Sequence, residues 1–129
     1  MLALVAGAAG CGEPKPGANE ARFPEAKRPV ARTVDRLQAA ARDGDGERIC
    51  DELLTERLAE RLGDCERVVK AQLVADDAKL TVDSIRVRGR VAYASVRERN
   101  GNVSRVRLRR SGEGWRVDAI QAQRSRRSR

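Results

Sequence analysis

Few groups in this chain are able to do chemistry. The soft nucleophiles are three cysteines, Cys11, Cys50 and Cys65, and there is no histidine. A cysteine serves acyl or thioether chemistry, disulfide formation or metal binding. Neither a CxxC pair nor a Cys/His cluster exists, so no metal-site spacing is present. The segment Asp43-Gly44-Asp45-Gly46 opens like a calcium loop, but Arg48 stands where such a loop needs glycine and no acid falls at its end. It reads instead as a helix stop followed by an N-cap. Asp118 lies between Val117 and Ala119 on the face opposite Trp115, and Asp83 reads as a surface residue at a strand bulge; neither has a polar partner in the sequence that would poise it as a general base. The sequence therefore assigns no catalytic residue, no metal and no cofactor, and the expected protein is not an enzyme.

Cys11 has the most informative surroundings. Residues 1–10 carry no charge, end in Ala8-Ala9-Gly10, and precede the polar Gly12-Glu13-Pro14-Lys15-Pro16-Gly17. Ten residues are too few to span a bilayer, which takes about 20, but they suit the roughly 7–15 residues of a signal-peptide apolar region. The segment Ala8-Ala9-Gly10-Cys11 resembles the lipobox of bacterial lipoproteins. That resemblance implies removal of residues 1–10, a lipidated Cys11, and a protein held at the extracytoplasmic face of the bacterial cell membrane. The basic segment that precedes such a run is expected upstream of Met1. Each buried acyl CH₂ contributes about 0.8 kcal/mol, so two or more chains anchor durably.

With Cys11 lipidated, Cys50 and Cys65 are left to pair in an oxidising compartment. A straight helix from Cys50 to Leu62 would span roughly 18 Å, whereas bridged Cα atoms lie about 4.4–6.8 Å apart. The helix must break, and Thr55, an N-cap type followed by Glu56, marks the place. Two short helices over about 46–54 and 56–62 follow.

Composition limits the partners. The formal net charge is +8, and only Lys15, Lys27, Lys70 and Lys79 of the 27 basic residues are lysine. Such an arginine excess reflects either a GC-rich genome or attraction to anionic lipid, acidic wall polymer or nucleic acid. The only aromatics are Phe23, Tyr93 and Trp115, too few to interleave with bases, so nucleic acid is disfavoured.

The elements follow from periodicity. Residues 11–23 read as a flexible tether and 24–122 as one domain, with a basic disordered tail over 123–129. Val30, Val34, Leu37 and Ala41 keep helical spacing behind Pro29. Val68, Val69, Leu73 and Val74 suggest a further short helix. Leu80 and Val82 alternate, then Ile85 and Val87 alternate in the opposite phase, which predicts a bulge at Asp83-Ser84. Four strands in an antiparallel meander result, giving an α+β chain with N-terminal helices on a curved four-stranded sheet.

The register of the central hairpin decides which residues face inward. A two-residue Asn100-Gly101 turn sets Ala92, Ala94 and Val96 beside Arg109, Arg107 and Arg105. A longer loop sets them beside Leu108 and Val106 instead, which separates apolar from charged residues and is the expected arrangement. Ala92, Ala94, Val96, Val106, Leu108, Trp115 and Val117 then line the concave face. Arg105, Arg107 and Arg109 form a basic stripe on the other, to which the tail adds Arg124, Arg126, Arg127 and Arg129.

The helix, the Asp-Gly-Asp turn, the Cys50-Asp-Glu-Leu-Leu-Thr55 segment, the second Cys and the strands Ile85-Arg-Val-Arg-Gly-Arg-Val-Ala92 and Gly114-Trp-Arg-Val117 together resemble the nuclear transport factor 2-like superfamily, the cone fold shared with ketosteroid isomerases. The likeness is strongest to its small lipid-anchored bacterial members. It implies a cone whose interior either takes a small apolar ligand or is plain core, the latter being expected here. Two functions stay open: a membrane-anchored extracytoplasmic binding or accessory domain with an unknown protein or ligand partner, and a cytosolic basic protein that binds nucleic acid non-specifically.

Overall fold

The computed structural model describes residues 17–112 and 114–123. Among these residues, five α-helices precede a single sheet: α1 (Ala18–Arg22), α2 (Arg28–Asp43), α3 (Gly46–Arg48), α4 (Glu56–Leu62) and α5 (Cys65–Gln72). The sheet is an antiparallel meander, β1 (Leu80–Arg88), β2 (Val91–Glu98), β3 (Val103–Ser111) and β4 (Gly114–Ala122), in spatial order β1-β2-β3-β4. This is the α+β, cone-like arrangement of helices on a curved four-stranded sheet.

The long helix α2 forms because its apolar residues recur on one side, and Pro29 occupies its first turn, where a missing N–H costs nothing. Val30, Ala31, Val34, Leu37 and Ala40 bury against the sheet. Gly44 ends the helix at φ 71°, a left-handed conformation that disfavours any side chain. Asp45 then caps α3, accepting from the Arg48 amide at 3.1 Å.

The helical run from Gly46 ends differently from its expected span of 46–54. After α3, residues Ile49–Leu53 form a π-turn, and the Leu54 amide donates to the Ile49 carbonyl at 3.1 Å. The wider turn releases Leu54 into extended backbone. There it bridges Val117 in parallel, and the Thr55 amide donates to the Val117 carbonyl at 2.9 Å. Leu54 and Thr55 thereby cover the outer edge of β4. Thr55 also caps α4, its hydroxyl accepting from the Leu58 amide. The break expected at Thr55 is present, and Cys50 and Cys65 are bridged with Cα atoms 6.2 Å apart.

The opposite edge, β1, is covered by a segment that the sequence places in the tether. Residues 17–23 are folded, with α1 among them. Asn19 is buried: its amide nitrogen donates to the Leu80 carbonyl at 2.8 Å and its oxygen accepts from the Val82 amide at 2.8 Å. Asp35 accepts from the amides of Asn19 and Glu20, and a Cβ at Gly17 would overlap its carboxylate. Polar composition suggested a linker, but one asparagine that satisfies a strand edge overrides it. Asn19→Ala leaves two backbone groups of β1 unpaired and is expected to cost about 1.5 kcal/mol in urea unfolding; no change would mean that α1 does not hold the edge.

Inside, the expected concave set is core. Ala92, Ala94, Val96, Val106, Leu108, Trp115 and Val117 are all buried, packed with Ile49, Leu53, Leu54 and α2. The partly open void among Val34, Leu37, Val96, Val106, Val117 and Ile120 is about 40 Å³, near the size of a single water site and too small for an organic ligand.

Candidate functional site

The hairpin register places the arginines. Ala92 pairs with Leu108 and Ala94 with Val106, while Tyr93 pairs with Arg107 and Ser95 with Arg105. The connection is the longer loop over residues 98–102, with Gly101 at φ 93° and its amide donating to the Glu98 carbonyl. Because side chains alternate between faces, three rows cross the outer side of the sheet. One is Ser84, Ser95, Arg105 and Gln121; the next is Arg86, Tyr93, Arg107 and Ala119; the third is Arg88, Val91, Arg109 and Arg116. Neighbouring strands lie about 4.8 Å apart, so six guanidiniums share one patch, and none of the three rows contains an acid.

The face splits into paired and unpaired cations. Among the described residues, Arg86, Arg88 and Arg105 have no carboxylate within ion-pair distance. Arg105 stacks over the Tyr93 ring, 5.9 Å from its centroid, and Tyr93 is itself exposed. These four residues line a shallow groove of about 1030 Å³, together with Ser84, Ser95, Lys27 and Gln123.

Arg107 and Arg109 converge instead on Asp118. The Asp118 side chain is 1 % exposed and accepts from the Thr55 hydroxyl at 2.8 Å. Its other oxygen accepts from Arg107 at 3.1 and 3.2 Å and lies 3.9 Å from Arg109 and 3.7 Å from Arg57. Burial pushes the carboxyl up, but the hydrogen bonds from Thr55 and Arg107 and the charges of Arg57 and Arg107 outweigh it. The net effect holds Asp118 below the usual carboxylate range and ionised. A carboxylate engaged this fully, with its pKa far from neutrality, is poorly suited to take a proton from a substrate.

Sequence reasoning missed this cluster although a signal was present. In β4 the inward phase runs Trp115, Val117 and then Ile120, and the register shifts opposite Arg107 and Leu108. That is the same phase break that marks the bulge in β1, where the register shifts between Val82 and Ser84. The bulge turns Asp118 toward the arginines. Asp83, at the β1 bulge, is exposed and bonds Arg97 at 2.8 Å.

The stretch that holds α3, the π-turn, α4 and α5 carries the opposite charge, whereas residues 18–44, with α1 and α2, contain six bases and four acids. Residues 45–72 contain eight acids and five bases, whereas residues 80–122 contain ten arginines and four acids. A groove of about 920 Å³ beside the disulfide is lined by Asp51, Glu56, Glu60, Asp64 and Glu66 with Arg116. No group of His, Cys, Asp and Glu among the described residues has metal-site geometry, and no helix among them is long and apolar enough to cross a membrane. Cys11 and the tail arginines Arg124, Arg126, Arg127 and Arg129 lie outside the described residues. The chain matches no protein-family model, no curated protein and no solved structure.

Proposed function

We propose that the chain is a lipoprotein of the nuclear transport factor 2-like kind, anchored through Cys11 to the outer side of a bacterial cell membrane, where it works as a binding or accessory domain through its surface. The observation that carries this reading is the division of the cysteines. Cys50 and Cys65 are joined, which fits an oxidising compartment, and the one remaining thiol follows an uncharged run that ends in small residues. The filled interior supports a surface role over a ligand-holding one. So does the engagement of Asp118, the one buried carboxylate among the described residues, which is not poised for proton transfer.

Cell fractionation tests this reading. The protein expressed with its native upstream sequence is expected in the membrane fraction, and Cys11→Ala is expected to release it. A wild-type chain recovered in the cytosol would contradict the proposal.

A further inference from the structure

We infer that the outer sheet face is a docking surface for anionic phospholipid headgroups, so that the domain lies basic side down on the membrane that holds it. The inference rests on the anchored reading above and adds the partner of the exposed face.

Charge complementarity is the first argument. Arg86, Arg88 and Arg105 have no acid partner among the described residues and surround the exposed Tyr93 in one shallow groove. Adjacent like charges on a sheet face destabilise it. Where Arg107 and Arg109 come together, Asp118 offsets the repulsion; the groove lined by Arg86, Arg88, Arg105 and Tyr93 has no carboxylate in its lining among the described residues. A genome-wide preference for arginine would spread the charge evenly. Here it is segregated, in excess over residues 80–122 and in deficit over residues 45–72. A domain with this polarity is turned by an anionic surface with the sheet toward it and the acidic α3–α5 stretch away.

The second argument is reach. The described residues begin at Gly17, beside the β1 edge that they cover, where Asn19 and Arg22 bond the carbonyls of Leu80 and Val82. Lys27, a few residues on, lines the same groove as Arg86 and Arg88. The six residues from Cys11 to Gly17 extend at most about 20 Å. A domain of this length has a radius of gyration of about 13 Å, so a Cys11 anchor keeps the groove within a molecular diameter of the headgroups. Attraction that is weak in solution then acts at high effective concentration. The groove is shallow and its lining more polar than apolar, with Ile85, Val87, Val91 and Ala94 among basic and hydroxyl side chains, which suits a sheet of phosphates; its single aromatic gives little for stacked bases.

The test uses the full oxidised chain carrying Cys11→Ser, sedimented with vesicles of phosphatidylcholine alone or with about a third phosphatidylglycerol. Binding is expected only to the anionic vesicles and is expected to fall steeply with salt. Each arginine near such a surface contributes about a five-fold gain in partition. Arg86→Glu, Arg88→Glu and Arg105→Glu together are therefore expected to weaken binding at least about 100-fold, with the thermal unfolding transition no lower than that of the parent. Replacing Arg124, Arg126, Arg127 and Arg129 with glutamine is expected to weaken it less. Equal binding to neutral vesicles, or triple-variant binding like that of the parent, overturns the proposal. So does tighter binding to duplex DNA than to anionic vesicles at the same ionic strength. The chain tested carries no lipid, so a negative result speaks against the docking face and leaves the anchor at Cys11 to be judged separately.

Discussion

Reducing the Cys50–Cys65 bridge is expected to lower the unfolding free energy by about 3 kcal/mol. The two cysteines are 15 residues apart in sequence, and the loop entropy that such a crosslink removes from the unfolded chain has this size. In the folded state the bridge ties the π-turn to the start of α5. Between them lie Leu53, Leu54 and Leu58, all in the core, and Leu54 and Thr55 seal the β4 edge. Loss of the bridge is therefore felt by the sheet as well as by the helices. Trp115, the only tryptophan, is buried on β4, and its fluorescence reports the transition. Cys50→Ser with Cys65→Ser should match the reduced wild type in urea unfolding. Coincident curves for oxidised and reduced protein would contradict this role.

Asp118→Asn is expected to cost about 2.5 kcal/mol at neutral pH. Removing one member of a buried charge cluster typically costs about 3–5 kcal/mol. The lower figure applies because Arg57, Arg107 and Arg109 are each at least 37 % exposed and remain hydrated when the carboxylate is gone. The pH dependence carries a definite sign. The folded-state pKa of Asp118 lies below its ordinary value, so the stabilisation is complete above the unfolded value of about 3.9. It is lost as pH falls through the folded value. Wild type and variant should differ at neutral pH and converge in strong acid. A constant gap across that range would mean that the carboxylate's charge is not what stabilises the cluster.

Much of the architecture was legible because it is written in alternation and in breakers. Val30, Val34, Leu37 and Ala41 mark α2 by spacing. Thr55 marks the helix break because a bridge from Cys50 to Cys65 is geometrically impossible without one. The β1 bulge shows in the switch from Leu80 and Val82 to Ile85 and Val87. The hairpin register follows from keeping Ala92 and Ala94 away from Arg107 and Arg109, and that choice alone predicts the basic face. What was not legible depends on contacts distant in sequence. Asn19 reads as a linker residue until β1, some 60 residues on, needs its edge satisfied. The π-turn after Arg48 has no composition signal; it arises because Leu54 is drawn to Val117. The Asp118 cluster falls between these cases. Its bulge is signalled by Ile120 following Val117, but its partners Thr55 and Arg57 come from another element.

The fold therefore assigns its charges two jobs. Asp118 gathers Arg57, Arg107 and Arg109 into the β4 side of the sheet and stabilises it. Arg86, Arg88 and Arg105 remain at the surface around Tyr93. Both readings of the surface, accessory domain and lipid-facing sheet, place the molecule at a membrane through Cys11.

The most direct test of that placement is intact-mass and peptide mass spectrometry of the protein purified from its native host. The account predicts a mature chain that begins at Cys11, with residues 1–10 removed and fatty chains on the first residue. A chain that retains residues 1–10 and carries an unmodified Cys11 thiol would contradict it.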